Sequence, residues 1–145
     1  MADRPDPLGP GITLVLGGAR SGKSVFGETL VLGSGHEPVY VATAQAWDDE
    51  MRQRIGTHKA RRGAEWVSVE ETDDLDSVLE REARPGRAVL VDCLTVWITN
   101  LMMAEADVAA RSRHLCDTLA GIGSPVVLIS NEVGLGIVPE NRMAR

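Results

Sequence analysis

The stretch that decides the fold is ITLVLGGARSGKS, from Ile12 to Ser24. Its first five residues form an unbroken apolar run, which is typical of a strand buried on both faces of a parallel sheet. The remainder, from Gly17 onwards, fits the pattern G-x-x-x-x-G-K-[ST], with Lys23 and Ser24 in the last two positions. Glycines let such a loop turn its backbone N–H groups towards phosphate oxygens, and the following helix adds its positive N-terminal end. The pattern therefore predicts a nucleoside triphosphate site.

Four further segments have the pattern of strands, and helical patterns lie between them. The strand segments are VYVAT (39–43), EWVSVE (65–70), AVLVD (88–92) and PVVLIS (125–130). EWVSVE alternates between apolar and polar residues and predicts a shorter or more exposed strand. Helices are expected over 21–32, 48–62, 75–83 and from 95 to about 120, the last broken near Ala106. This alternation predicts an α/β fold with a mostly parallel sheet, helices on both faces and ligands beyond the carboxyl ends of the strands.

Length and composition limit the class of protein. With 145 residues, 43% hydrophobic and 25% charged, the chain reads as one globular domain (12–145) preceded by a flexible arm (1–11). A net charge of −6 argues against binding nucleic acid through bulk charge. Two cysteines, no signal-peptide pattern and no membrane-length apolar run favour a cytoplasmic protein without membrane contact.

An acidic residue, Asp92, ends the AVLVD strand. In folds with this phosphate loop, such an acid and the Ser24 hydroxyl hold Mg²⁺ or its water shell. The alternative is that Asp92 merely caps the next helix.

The segment DDEMRQRIGTHKARRG, residues 48–63, has acids at its start and bases at its end, as the helix dipole favours. It contains His58, one of three histidines, next to Lys59. Lys59 and Lys23 are the only lysines among fifteen basic residues, which suggests a specific role for each because arginine does not replace lysine everywhere. A histidine flanked by cations can act as a nucleophile towards phosphorus. The alternative is a surface helix with His58 at the edge of its buried stripe.

These residues carry a resemblance that covers nearly all of the chain after the arm. The segments LVLGGARSGKS, VYVATAQAWDDEMRQRIGTHKARRGAEWVSVEE, VLVDCLTVWITNLM and VVLISNEVGLGIVPENRMAR are similar to the adenosylcobinamide kinase / adenosylcobinamide-phosphate guanylyltransferase family of cobalamin biosynthesis. The resemblance implies a three-layer P-loop NTPase fold of the RecA-like kind. It also implies two reactions. The hydroxyl of the aminopropanol arm of adenosylcobinamide is phosphorylated with ATP or GTP. GMP is then transferred from GTP to that phosphate through a guanylylated histidine.

The resemblance also implies roles for individual residues. His58 would be the nucleophile, Lys23 would act in catalysis, and Ser24 and Asp92 would hold Mg²⁺, directly or through water. The nucleotide would be bound by Leu16, Gly17, Gly18, Ala19, Arg20, Ser21, Gly22, Lys23, Ser24, Ala42, Thr43, Ala44, Lys59, Ala60, Arg61, Arg62, Glu70 and Asp92. The implied partners are GTP, ATP, adenosylcobinamide and its phosphate, together with two further copies of the chain in a homotrimer.

Two features depart from the family pattern. Some relatives have two adjacent histidines where this chain has Thr57 and His58, so the nucleophile assignment depends on His58 alone. The chain also stops at NRMAR, whereas the family continues for about one helix and one strand. We therefore expect it to lack the family's C-terminal segment and to leave hydrophobic surface uncovered.

Two other functions fit parts of the sequence. One is a different P-loop kinase or NTPase that uses Lys23, Ser24 and Asp92, with His58 in a structural role. The other is a chain that binds nucleotide without turning it over. GTP dependence and a covalent GMP adduct separate the family reaction from both.

Overall fold

The computed structural model describes residues 8–18, 22–45, 49–50, 52–53, 56 and 62–131. The strands are β1 (Gly11–Gly17), β2 (Glu37–Ala42), β3 (Val67–Glu70), β4 (Arg87–Asp92) and β5 (Pro125–Asn131). The helices are α1 (Lys23–Gly33), α2 (Leu75–Glu82), α3 (Leu94–Met103) and α4 (Val108–Ala120). All five predicted strands are confirmed, as is the break between α3 and α4. Of the predicted helix 48–62, residues 49, 50, 52, 53, 56 and 62 are described, and all are helical.

The five strands form one parallel sheet in the order β1-β5-β4-β2-β3. β4 lies at the centre, between β2 and β5, and β3 is an edge strand of only four residues. All four strand pairings are parallel. Parallel neighbours cannot be joined by a tight hairpin, so each pairing is made through a crossover connection. The predicted parallel α/β architecture is confirmed.

One face of the sheet is closed by three helices. Alternate residues of β2, β4 and β5 point to it, because successive side chains of a strand face opposite sides. These strand residues are Val39, Val41, Val89, Val91, Val126 and Leu128, and they pack on Leu75, Val78 and Leu79 of α2, Trp97 and Leu101 of α3, and Leu115 and Leu119 of α4. We call this the closed face. Burying each large aliphatic side chain there contributes about 1.5–3 kcal/mol.

The opposite face is covered by α1, and we call it the α1 face. Its core contains strand residues and residues from other elements. The strand residues are Val15, Tyr40, Ala88, Leu90, Val127 and Ile129, and the others are Val31, Trp66 and Cys93. Gly27 lets α1 approach the sheet closely, since a Cβ atom there would lie 3.0 Å from Leu90 Cδ1 and 3.1 Å from Ile129 Cδ1. The α1 face therefore combines a smaller apolar core with the polar groups at the strand ends.

Local sequence explains where the helices begin. The Asp74 and Asp107 side chains accept hydrogen bonds from the backbone N–H groups of Ser77 and Ala110, which caps α2 and α4. Gly22 precedes α1 with φ of 80°, a left-handed conformation that glycine adopts without strain. The phosphate loop can thus turn directly into α1.

Several apolar side chains of β1 and α1 are exposed to solvent. Ile12, Leu14 and Leu16 keep about half of their surface in contact with solvent, as do Val25 and Phe26 of α1. Within the described residues β1 pairs only with β5, so it forms one edge of the sheet. None of the described helices combines the length and the hydrophobicity needed to cross a bilayer.

Candidate functional site

The sheet register places several predicted residues at the carboxyl ends of the strands. Asp92 at the end of β4 is in register with Ala42 at the end of β2, and Ala42 is in register with Glu70 at the end of β3. On the other side, Asp92 is in register with Ile129 of β5. The phosphate loop follows the carboxyl end of β1, which lies at this same end of the sheet because all five strands are parallel.

The last residues of the phosphate loop form the start of α1. Lys23 is the first residue of the helix, and its Nζ donates a hydrogen bond to the Gly18 carbonyl oxygen at 3.0 Å. This bond lies across the loop, so the ammonium group is already near the space that phosphates occupy in such loops. A groove beside the loop is lined by Thr13, Leu14, Val15, Leu16, Gly17, Gly22, Lys23 and Phe26.

Three oxygen atoms meet at the end of β4. The Ser24 hydroxyl donates to Asp92 Oδ2 at 3.0 Å, although the two residues are 68 positions apart. The Tyr40 hydroxyl donates to the same oxygen at 2.6 Å. Hydrogen bonds to an ionised carboxylate are stronger than neutral ones, so these two donors fix the orientation of the carboxylate.

These oxygens fit a magnesium site of the kind found with nucleotides. Mg²⁺ prefers oxygen ligands, keeps several waters and binds through one or two carboxylates plus substrate phosphates. Ser24 and Asp92 supply the hydroxyl and the carboxylate, at hydrogen-bonding distance from each other and next to the phosphate loop. In the described part of the chain, no three His, Cys, Asp or Glu side chains cluster into a metal site by themselves.

Arg62 lies against the other side of this cluster. Its guanidinium carbon is 3.3 Å from the centroid of the Tyr40 ring, a cation–π contact. Arg62 is only 7% exposed, and its Nε and Nη1 atoms find no hydrogen-bond partner among the described residues. Buried donors are almost always paired in native proteins, so these two call for an acceptor that the described residues do not supply.

Burial and charge perturb two groups of this region. Burial, followed by the charge of Asp92 and the hydrogen bond to it, raises the pKa of the Tyr40 phenol above its ordinary value. Tyr40 therefore remains a hydrogen-bond donor at neutral pH. Burial also raises the pKa of the Cys93 thiol, so this cysteine is not an activated nucleophile.

Comparison with known proteins places the chain. Residues 13–145 match the family described as cobinamide kinase / cobinamide phosphate guanyltransferase. The chain belongs to this family. It is 46% identical over 134 residues to the bifunctional adenosylcobalamin biosynthesis protein CobP of Pseudomonas aeruginosa, covering 91% of this chain and 78% of that protein. It is 42% identical over 147 residues to the protein CobU of Salmonella typhimurium, covering 91% and 81% of the two chains.

Solved structures of other proteins share the fold. A crystal structure of the RadB recombinase aligns with a TM-score of 0.54 at 19% identity, covering 95% of this chain and 68% of that one. The flagellar accessory protein FlaH of Methanocaldococcus jannaschii aligns with a TM-score of 0.50 at 16% identity, covering 90% and 63%. At these identities the likeness concerns the α/β fold alone.

The cobinamide kinase family resemblance also predicted nucleotide contacts for Ala42, Thr43 and Ala44, and Thr43 is more deeply buried than the other two. Ala42 is the last residue of β2, and Ala44 lies two residues beyond it, half-buried. Thr43 is wholly buried, and its hydroxyl accepts from the Cys93 N–H and donates to the Cys93 carbonyl, both at 2.8 Å. Its N–H donates to the Asp92 carbonyl, and its own carbonyl accepts from Asn100 Nδ2. Thr43 thus ties β2 to β4, with each polar group engaged inside the protein.

Glu70 does not join the cluster around Asp92. It is exposed at the end of the edge strand β3, with β2 between it and β4. Strands in a sheet are about 4.8 Å apart, so the two backbones are about 10 Å from each other. Seven other predicted residues lie outside the described part of the chain: Ala19, Arg20, Ser21, His58, Lys59, Ala60 and Arg61.

Sequence reasoning missed two groups near the family site. Tyr40 was read only as part of an apolar strand, yet its hydroxyl bonds to Asp92. Thr95 Oγ1 and Ser130 Oγ are 3.1 Å apart, and Thr95 Oγ1 also accepts from the Asn131 N–H. A polar hydroxyl in the middle of a buried strand segment was the available signal for Tyr40, because such a group needs a partner when it is buried.

Proposed function

We propose that this protein phosphorylates the aminopropanol hydroxyl of adenosylcobinamide with ATP or GTP, and then transfers GMP from GTP to adenosylcobinamide phosphate through a guanylylated His58. The observation that carries the proposal is the Ser24–Asp92 hydrogen bond beside Lys23, in a chain that belongs to the cobinamide kinase / cobinamide phosphate guanyltransferase family. The products would be adenosyl-GDP-cobinamide and pyrophosphate.

The phosphorylation step needs positioning and charge stabilisation more than it needs covalent chemistry. The substrate hydroxyl oxygen forms a bond to the γ-phosphorus, and the bond from that phosphorus to the β–γ bridging oxygen breaks, which releases the diphosphate and a proton. Lys23, once it leaves the Gly18 carbonyl, offsets charge on the β- and γ-phosphate oxygens. Mg²⁺ bound by Ser24 and Asp92 would add positive charge at the same oxygens.

The transfer step uses a nucleophile in two displacements. A nitrogen of neutral His58 forms a bond to the α-phosphorus of GTP, and the bond from that phosphorus to the α–β bridging oxygen breaks, which releases pyrophosphate. A phosphate oxygen of the substrate then attacks the same phosphorus, and the nitrogen–phosphorus bond breaks, which restores His58. Arg62 supports the assignment, because the described residues give its buried Nε and Nη1 donors no partner, and such donors suit phosphoryl oxygens. Lys59, Ala60 and Arg61 would line the same site.

The test is covalent labelling. The protein is incubated with Mg²⁺ and GTP labelled at the α-phosphate, denatured, treated with acid or base, and mapped by peptide. An acid-labile and base-stable label on His58 is expected, because a phosphorus–nitrogen bond has this stability. His58→Ala should remove the label and guanylyl transfer while leaving phosphorylation intact, and His36→Ala is the matched histidine control.

Two results would contradict the proposal. GTP that binds without labelling any histidine would favour another P-loop kinase or a chain that binds nucleotide without turnover. Equal loss of phosphorylation and transfer in folded His58→Ala would remove the specific role of His58.

A further inference from the structure

Tyr40 connects two functional groups that come from different parts of the chain. Its hydroxyl donates to Asp92 Oδ2 at 2.6 Å, and its ring supports the Arg62 guanidinium at 3.3 Å. Asp92 ends β4, whereas Arg62 lies five residues before the start of β3. One side chain in the middle of β2 therefore contacts the predicted magnesium ligand with one end and a predicted phosphate ligand with its face.

The hydroxyl restricts Asp92. Oδ2 accepts from both Tyr40 and Ser24, while no described residue donates to Oδ1. Two donors on one oxygen hold the carboxylate plane, so Oδ1 keeps one orientation. Partners of this kind set the direction of a metal-ligating carboxylate, and removing them typically costs about 10- to 100-fold in metal affinity.

The ring restricts Arg62. A guanidinium stacked on an aromatic face loses most of its rotational freedom, while the donors along its edge remain able to bind an anion. Trp66 packs against the Tyr40 ring edge-on, with centroids 6.0 Å apart and planes at 84°, which prevents the ring from tilting. Tyr40, Trp66 and Arg62 are all less than a tenth exposed, so the stack is held inside the protein.

We propose that Tyr40 is a positioning residue with two separable effects: its hydroxyl aims Asp92 at the metal of a bound nucleotide, and its ring aims Arg62 at the phosphates. The proposal rests on the proposed function for the identity of the ligand, a nucleoside triphosphate with Mg²⁺. If Tyr40 only filled the core, neither effect would exist. Phenylalanine would then replace it without changing Mg²⁺ dependence, because the two side chains have nearly the same volume.

The experiment measures equilibrium GTP affinity, with Mg²⁺ and with EDTA, for the wild type and for two substitutions. Tyr40→Phe keeps the ring and removes the hydroxyl, so its affinity in EDTA should equal the wild-type value while the half-saturating Mg²⁺ concentration rises about tenfold. Tyr40→Leu removes both, so its affinity in EDTA should also fall, by about fivefold. These readouts require no turnover, so they stand apart from the labelling test of the proposed function.

Two controls separate positioning from general loosening of the fold. Val41→Ala lies on the same strand but points to the closed face, so it should lower stability and leave both affinities unchanged. Arg62→Ala should weaken GTP binding in EDTA. Because Tyr40 is proposed to act there through Arg62, adding Tyr40→Leu to Arg62→Ala should cause no further loss in EDTA.

The outcomes are decisive in both directions. Wild-type Mg²⁺ dependence in Tyr40→Phe overturns the effect on Asp92. Equal EDTA affinities for Tyr40→Phe and Tyr40→Leu, or additive losses in the double variant, overturn the effect on Arg62. The expected pattern in both arms establishes Tyr40 as the positioning residue.

Discussion

The two faces of the sheet are built from the same strands but differ in chemistry. On the closed face, side chains of β2, β4 and β5 meet three helices in a core whose strand residues are all aliphatic. On the α1 face, the next residues along the same strands include Tyr40 and Asp92, which hydrogen-bond to each other. Because alternate residues of one strand face opposite sides, a strand can serve stability with one set and ligand binding with the other.

This difference predicts that substitutions on the two faces separate activity from stability. Substituting polar site residues beside the α1 face, such as Lys23, should reduce activity with little change in the free energy of unfolding. The closed face should lose free energy of unfolding while each molecule that remains folded keeps its activity.

The largest effect is expected for Lys23→Ala. Lys23 is partly exposed, and among the described residues its side chain bonds to the Gly18 carbonyl alone, so its loss should change the free energy of unfolding by less than about 0.5 kcal/mol. Phosphoryl transfer should fall about 100- to 1000-fold, because a charge aimed at the transition state is lost. Single-turnover transfer from γ-labelled ATP measures the rate, and denaturant unfolding measures the stability. A rate within a few-fold of wild type would remove Lys23 from the catalytic role.

Leu79→Ala is the counterpart on the closed face. Leu79 of α2 is wholly buried, so the substitution leaves a cavity and should cost about 2–5 kcal/mol of unfolding free energy. Under conditions where the variant remains folded, its rate per folded molecule should equal the wild-type rate. Urea denaturation and active-site titration give the two quantities. A variant that kept its stability but lost its rate would contradict the separation of the faces.

His114→Ala should have a smaller effect on the closed side. His114 of α4 pairs with the buried carboxylate of Asp76 on α2, and Asp76 Oδ1 has no partner among the described residues. Removing the imidazole leaves this carboxylate without its histidine partner, which should cost about 1 kcal/mol because His114 itself is largely exposed. Arg113→Ala, at an exposed neighbouring position, is the matched control. If both variants unfold at the same denaturant concentration, the pair contributes nothing measurable.

The smallest effect is expected in how the free energy of unfolding depends on pH through Tyr40, the only tyrosine in the chain. Its pKa is raised in the folded state above the ordinary value of about 10, so folding favours the protonated phenol. The resulting contribution to stability is complete below pH of about 10 and is lost as pH rises towards the folded-state pKa. In metal-free protein, phenolate absorbance should therefore appear above the ordinary range, and wild-type stability should fall more steeply there than that of Tyr40→Phe. Phenolate absorbance near pH 10 in folded protein would contradict this.

Local sequence predicted the elements of this fold well, because each carries its own pattern. The apolar runs marked the strands, and the phosphate loop marked the first strand-to-helix turn. Ser24 and Asp92 were predicted together because a known chemistry requires both, and in the structure a hydrogen bond joins them.

What could not be predicted depends on which strands become neighbours. β2 lies beside β4 although β3 comes between them in the chain, and this pairing alone brings Tyr40 to Asp92 and Thr43 to Cys93. No local pattern encodes that order. The Asp76–His114 pair was missed for the same reason: it joins two helices whose packing angle is decided by the whole closed face. His114 on its own looks like an ordinary surface residue.

The position of β1 has a consequence for how the molecule folds. Within the described chain its only partner is β5, so Gly11 must find Pro125 before the strand that carries the phosphate loop is fixed. Contacts between residues so distant in sequence form slowly, because the entropy lost on closing a long loop must be overcome before the contact adds any stability. During synthesis, the nucleotide site would therefore be completed only after β5 has been made.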